Sequence, residues 1–351
     1  QLHDRAVAQL FLGQAHFHAG NTDAAEQLLP NAMQSGLASG HLTAYLNACH
    51  HLAQLRVLQG RLHDAQALCE QAIQVVAEQG APVYSGVEHA GLGDLQREWN
   101  QLEAATTEIE KGLELAQAGN DVFFLTDVCL ARVRLALAQK DWESAWSCIQ
   151  KAEQIARRST TSLGLENLRS WHARIHLAQG NPAQAERWAE TKMAESVGPF
   201  DPQQEFELLT LARLWLAQGK TDQAAALLER IRMAAENAGR PGRALEARML
   251  QALADQAEGK EAQALEKLAR VLAQAEPEGY VRLFVDEGKP MARLLQRAVA
   301  GGITPLYSSR LLAAVEVELK GELPQPPVGV AASLVEPLSE REVEVLHLVA
   351  A

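Results

Sequence analysis

An alanine recurs along this chain every 40 residues, with a single interval of 39, just after a short turn. The seven alanines are Ala25, Ala65, Ala105, Ala145, Ala185, Ala224 and Ala264. A spacing held this tightly over most of a 351-residue chain is typical of stacked supersecondary units, in which each unit packs on its neighbours. The sequence therefore predicts one elongated stack of repeats rather than several globular domains.

Each interval has the pattern of two amphipathic helices joined by a turn. Five of the seven turns begin with glycine, which adopts the left-handed conformation that ends a helix at no steric cost. Twelve residues before the alanine, four units have a leucine followed by a small residue, as in Leu12-Gly13 and Leu92-Gly93. Small residues there allow two helices to approach closely. Because the composition also favours helix, we expect an all-α fold.

The pairing of Leu-Gly or Leu-Ala with a downstream Gly-x-x-x-x-Ala resembles the tetratricopeptide repeat over residues 1–276. The resemblance implies a right-handed superhelix of about seven helix pairs, in which the first helix of each pair lines the concave face. The period is about six residues longer than the usual 34, and HEAT repeats have the longer period without this turn. We expect the extra residues to lengthen the helices or the connections, such as those at 79–82 and 198–202.

Charge and cysteine usage restrict the environment and the partners. The net charge of −12 makes the chain a poor partner for phosphate backbones, so we expect no nucleic-acid binding by this part of the protein. Cys49, Cys69, Cys129 and Cys148 show no metal-type spacing and are expected to be structural thiols in a reducing cytosol. The sequence has no signal peptide or membrane span, which predicts a cytoplasmic protein that does not contact a membrane.

The repeats are followed by different sequence. Residues 277–320 are predicted to form a helical extension, and the proline-rich residues 321–337 a linker. Over residues 338–351, Ser339 and Glu342 form a capping box ahead of an apolar helical stripe. The motif Leu-Ser-x-Arg-Glu-x-Glu-Val-Leu in this segment resembles the opening of the LuxR-type helix-turn-helix domain. We expect a truncated start of that domain here, and the chain itself to be a piece of a longer protein.

The order of repeats, linker and LuxR-type helix resembles the large ATP-binding LuxR-type transcriptional regulators of the MalT type. That family implies an upstream ATPase domain, a helical-repeat sensor and a terminal DNA-binding domain. No Gly-x-x-x-x-Gly-Lys-Ser/Thr occurs here, so ATP is expected only for the upstream domain, and no cofactor or metal for this part. The resemblance implies a sensor that binds a small-molecule inducer, a regulatory protein, or both, and transmits the signal. The alternative is a protein- or peptide-binding scaffold with no small-molecule ligand.

Positions one period apart should stack into columns on the concave face. The column eleven residues before each alanine runs Gln14, Gln54, Asp94, Arg134, Arg174, Arg213 and Leu253. Three arginines in register repel one another unless an acid or a ligand rich in hydroxyls or carboxylates compensates them. A second column, seven residues earlier, runs Val7, Asn47, Val87, Asp127, Asn167, Phe206 and Glu246.

Six residues of these columns form the predicted ligand site. They are Arg134, Arg174, Arg213, Asp127, Asn167 and Asp94. The alternative is that the arginines pair with Asp127, Glu207 or similar acids on a solvated face.

Catalytic motifs are absent from the sequence. There is no phosphate loop, His-Glu-x-x-His or Gly-x-Ser-x-Gly, and adjacent helical residues such as His50 and His51 point about 100° apart, too far to share a metal. We therefore expect no enzyme activity. Five tryptophans either stack on a sugar or ring, or pack between helices. They are Trp142, Trp146, Trp171, Trp188 and Trp215.

Overall fold

The computed structural model describes residues 2–119, 122–158, 163–196 and 200–321, and within these ranges it is helical, without strands. Fourteen α-helices form seven consecutive antiparallel pairs, as the alanine period predicts. The pairs are α1 (Leu2–His18) with α2 (Thr22–Ala38), α3 (Leu42–Leu58) with α4 (Leu62–Glu78), α5 (Gly86–Glu98) with α6 (Leu102–Ala118), α7 (Val122–Gln139) with α8 (Trp142–Arg158), α9 (Leu163–Ala178) with α10 (Pro182–Ser196), α11 (Glu205–Ala217) with α12 (Thr221–Asn237), and α13 (Pro241–Ala257) with α14 (Glu261–Ala275).

Three more helices follow the repeats and are called the extension here. A 3₁₀ turn at Glu276–Glu278 leads into α15 (Arg282–Val285), α16 (Gly288–Ala300) and α17 (Pro305–Gly321). The last helix thus ends at the first residue of the predicted linker. The rest of that linker and the LuxR-type segment 338–351 lie outside the described residues.

Each 40-residue unit consists of two similar halves of about 20 residues. Most helices have 17 residues, and the turn after a helix contains a residue in the left-handed conformation, usually glycine. Asn100 and Lys140 adopt this conformation at the corresponding positions with φ of 62° and 57°. In two units the connection also changes, because 3₁₀ turns at Pro82–Ser85 and Pro202–Gln204 precede shortened first helices of 13 residues. Two helices of 17 residues alone fill the roughly 34 positions of the usual repeat, so longer helices account for part of the longer period, and the 3₁₀ turns lengthen two connections. Residues 198 and 199 of the second predicted connection lie outside the described residues.

The repeated alanines lie where the two helices of a pair cross. All seven are at most 1% exposed. The small residue twelve positions earlier is equally confined, because a β-carbon added to Gly93 would lie 2.5 Å from Ile109 Cγ1 and 3.0 Å from the Ala105 carbonyl oxygen. The predicted close approach of the paired helices is confirmed.

The superhelix contacts itself after one turn. The Trp99 indole donates to the Glu278 carbonyl oxygen over 2.9 Å, 179 positions away in sequence, and Lys140 Nζ donates to the Glu318 carbonyl oxygen, 178 positions away. Nearer the amino end, the backbones of Gly60 and Gly242 approach so closely that a β-carbon on Gly242 would lie 2.5 Å from Gly60 N. At about 40 residues a pair, one superhelical turn takes about four and a half pairs.

The four thiols are free, and three of them are buried. Cys49, Cys69 and Cys129 lie in the core, while Cys148 is half-buried. Burial raises the pKa of Cys49 and of Cys129 to about 12, so these thiols stay protonated and unreactive at neutral pH. This burial agrees with the predicted structural role.

Candidate ligand-binding cavity

A cavity of about 870 Å³ lies between the inner helices of the later repeats and the extension. One wall comes from the first helices of four units, α7, α9, α11 and α13, and the other from α15, α16 and α17. First helices of neighbouring pairs contact one another, as α5 does with α7, α9 with α11 and α11 with α13, which is the inner layer that the tetratricopeptide resemblance implies. The volume falls within the range of small-molecule sites, roughly 300–1,000 Å³.

Most of the lining surface between the charged groups is apolar. The first helices of the repeats contribute four leucines, the extension contributes further aliphatic side chains, and one tryptophan is the first residue of α8. These residues are Leu137, Leu177, Leu216, Leu253, Val285, Leu294, Val315, Leu319 and Trp142. A ligand here would bury most of its surface against hydrocarbon.

Arg174, on α9, places in the cavity wall a charge that has no direct acidic partner among the described residues. Its Nη1 is buried and has no hydrogen-bond partner, and the guanidinium carbon lies 5.8 Å from the centre of the Phe206 ring. Within the described residues no carboxylate comes within 4.0 Å of this side chain. Burial and the neighbouring charge of Arg213 lower the pKa of Arg174 to about 10, so the group is still a cation at neutral pH.

Arg213, on α11, connects the repeats to the extension. Its Nε donates to Glu287 Oε1 over 2.8 Å, and its Nη2 lies 3.0 Å from Glu246 Oε1, while Nη1 is buried without a partner. Burial lowers the pKa of Arg213, but the two carboxylates outweigh it and raise the pKa above its usual value. Glu287 directly precedes α16, so this ion pair joins the wall formed by the repeats to the wall formed by the extension.

Arg282, on α15, forms buried ion pairs that hold the helices of the extension together. It is 2% exposed, pairs with Glu318 Oε2 over 2.6 Å and with Asp286, and contacts the Asn100 side chain. Glu98, at the end of α5, accepts a hydrogen bond from Leu283 N over 2.8 Å. These contacts hold α15 and α17 against the edge of the third repeat.

The predicted arginine column is in register, but its members separate into two groups. Arg174, Arg213 and Leu253 line the cavity, whereas Arg134 lies outside it and donates from Nε to Asp94 Oδ1 over 2.8 Å, exactly one unit of 40 positions away. Burial raises the pKa of Asp94, but the charges of Arg134 and Arg97 outweigh it and hold the pKa below its usual value. Asp94 and Arg134 thus compensate each other without a ligand.

The second column contacts the first with an offset of one unit. Arg174 stacks on Phe206 and Arg213 pairs with Glu246, each a second-column residue of the following repeat. Asp127 lies instead with its carboxylate 3.5 Å from His50 Nε2. Asn167 is in α9, where the structure describes the backbone but not this side chain.

The alternative prediction, in which the arginines of the column pair with acids, is therefore correct for two of the three arginines. Arg134 and Arg213 have acidic partners, although neither is Asp127 or Glu207, and Glu207 pairs with Lys192. Arg174 has no such partner among the described residues.

Sequence reasoning missed the half of the cavity that the extension supplies. Asp286, Glu287 and Glu318 follow no period, and only Asp286 and Glu287 had a signal, as charges placed directly after the mostly apolar stretch 280–285 that follows the repeats. Of the tryptophans, Trp171 and Trp215 are buried in the core, with Trp171 4.6 Å from Phe206 between ring centres, while Trp142 lines the cavity.

A superhelix of consecutive helix pairs defines the class of helical-repeat domains. None of the described helices is both long and apolar enough to cross a membrane. The family model of the MalT-like TPR region matches residues 1–300, and the chain therefore belongs to that family. A comparison with curated proteins gives no match.

Proposed function

We propose that this chain is the effector-sensing and signal-transmitting domain of a MalT-type transcriptional activator, and that the cavity is its effector site. The proposal rests on one observation: the repeats form one wall of the cavity and the extension forms the other. A ligand bound there contacts the repeats and the extension at once, so its binding energy depends on how the two are packed.

The route of transmission follows from the ion pairs at that boundary. Arg213 pairs with Glu287 of the extension, and Arg282 with Glu318 holds α17, the helix that leads towards the LuxR-type segment. A ligand that changes the spacing of the two walls changes the position of α17. In the cytoplasmic activator proposed here, this movement would reach the DNA-binding domain, with an ATP-binding domain upstream.

A scaffold that holds a long peptide in its concave groove fits this geometry less well. The extension already packs against the inner side of the repeats from Glu98 to α13. A peptide would have to displace α15 and its buried Arg282, which breaks a desolvated ion-pair network.

The test is a thermal-shift screen of the chain with sugars, amino acids and organic acids, followed by hydrogen exchange with each compound that binds. A ligand specific for the native state raises stability by RT ln(1 + [L]/Kd). The expected result is a compound that protects both the inner helices and α15–α17 from exchange. Ligands that protect neither wall, or stabilisation only by a protein partner, would refute the effector role.

The same role predicts a response phenotype in the full-length regulator. Arg174→Ala should abolish or shift the response to the inducer and leave the fold intact, because the side chain is half-buried and unpaired and its removal relieves a desolvated charge. A reporter assay that shows an unchanged concentration dependence would exclude Arg174 from the site.

A further inference from the structure

The carboxylates that line the cavity are all paired with cations. Glu287 pairs with Arg213, Glu318 and Asp286 pair with Arg282, and Glu261 Oε1 lies 2.7 Å from Arg297 Nη1. Each of the four acids thus has a cation as its close partner, and none of them lies within 4.0 Å of Arg174.

Two lining cations have no acid within 4.0 Å among the described residues, and they differ in exposure. Arg293 is exposed to solvent, where water compensates its charge. Arg174 is half-buried with its Nη1 sealed from water. Among the described residues that line the cavity, Arg174 is therefore the buried cation without a direct acidic partner, and Glu246, Glu287 and Asp286 act on it only from a greater distance.

Arg174 and Arg213 also offer hydrogen-bond donors without acceptors. The Nη1 atom of each side chain is buried and unpartnered. A buried donor that lacks an acceptor costs roughly 1–3 kcal/mol, and an anionic acceptor with two oxygens is suited to guanidinium donors. A carboxylate supplies one negative charge together with two acceptor atoms.

The apolar surface of the cavity limits the rest of the ligand. A second charge, or a series of hydroxyl groups, would lie against leucine and valine side chains and lose its hydrogen bonds with water. A hydrocarbon or aromatic body loses none, and gains about 25 cal/mol for each Å² that it removes from water.

We propose that the cavity binds a small monocarboxylate with an apolar body, its carboxylate held by Arg174 with Arg213 beside it. This assignment rests on the proposed function, because it names the chemical class of the effector. It goes beyond that function in predicting which half of the ligand each wall contacts: the arginines of α9 and α11 contact the carboxylate, and the leucines and the extension contact the body.

The experiment is isothermal titration of the 351-residue chain with octanoate and phenylacetate, each compared with its neutral amide. We expect saturable binding of at least one carboxylate and at least tenfold weaker binding of the matching amide. Arg174→Gln should weaken carboxylate binding at least tenfold. The matched control is Arg187→Gln, which removes the same charge from an exposed site on α10 and should leave the affinity unchanged.

Three results would overturn the ligand class: no saturable binding of either carboxylate, equal affinity for acid and amide, or equal affinity of wild type and Arg174→Gln. Hydrogen exchange separates this failure from failure of the proposed function. Protection of α15–α17 by a neutral compound refutes the monocarboxylate and leaves the effector role standing. Carboxylate binding through Arg174 without protection of α15–α17 supports the ligand class and refutes signal transmission through the extension.

Discussion

Two glycines on helix α5 allow the helix crossing to be tested with an internal control. A β-carbon on Gly93 would lie 2.5 Å from Ile109 Cγ1 and 3.0 Å from the Ala105 carbonyl oxygen, and the backbone oxygen cannot rotate away. A β-carbon on Gly91, two residues earlier on the same helix, would lie 3.3 Å from Cys69 Sγ and meet nothing closer. Of these two positions, Gly93 therefore has no room for a methyl group, whereas at Gly91 a shift of the Cys69 side chain by a few tenths of an ångström makes room for it.

The expected magnitude follows from two opposing terms. Replacing glycine by alanine within a helix favours the helix by about 1 kcal/mol, and this gain is the same at both positions. Overpacking of a well-filled contact costs about 1–3 kcal/mol and applies at Gly93. Gly93→Ala should therefore be less stable than Gly91→Ala by about 1–3 kcal/mol.

Urea unfolding followed by circular dichroism measures this difference directly. The midpoints of the two variants should differ at an unchanged slope, which would show that stability rather than the extent of unfolding has changed. Equal midpoints would show that the paired helices separate freely at Gly93, and the reasoning from the crossing would then be wrong.

Three further predictions concern the crossing alanines, pH and DNA. Ala105→Leu and Ala185→Leu should each cost about 1–3 kcal/mol by overpacking, and unchanged urea midpoints for both would contradict this. Burial raises the pKa of Glu98 from 4.5 to about 7, so the folded chain binds the extra proton; this contribution to stability is complete below pH 4.5 and is lost as pH rises through 7. Stability measured over that interval should fall less with pH in Glu98→Gln, which can still accept from Leu283 N, than in wild type, and parallel profiles would argue against it. Because its net charge is −12, the chain should bind duplex DNA no more tightly than in non-specific binding, for which Kd is roughly 10⁻⁴–10⁻⁶ M at physiological salt. A lower Kd measured by fluorescence anisotropy would contradict this.

The repeat architecture was predictable because the same helix–helix contact recurs in each unit and requires the same residue types each time. Ala105 and Gly93 each fill a position whose size is fixed by the neighbouring helix, so the same constraint recurs in every unit and appears as a period. The column from Arg174 to Leu253 follows from the same regularity, and the cavity wall contains it. Local rules of helix length, turn and crossing are sufficient for this part of the fold.

The partners of those arginines were not predictable in the same way. Glu287 meets Arg213 from 74 positions away, and Glu246 meets it through an offset of one unit, both set by the superhelical twist. That twist is the sum of small rotations at every crossing, and no single residue encodes it. The extension has no period at all, so its contribution to the cavity is visible only in three dimensions.

Contact between successive superhelical turns changes how the chain should unfold. In a linear repeat array each unit touches only its neighbours, so the ends fray and stability grows unit by unit. Here the edges near Gly60, Trp99 and Lys140 are joined to parts of the chain far along the sequence. Opening an end therefore also breaks contacts in the middle, which couples the repeats into one cooperative transition. The same distant contacts close large loops, so folding should be slower than in a helical array of equal length.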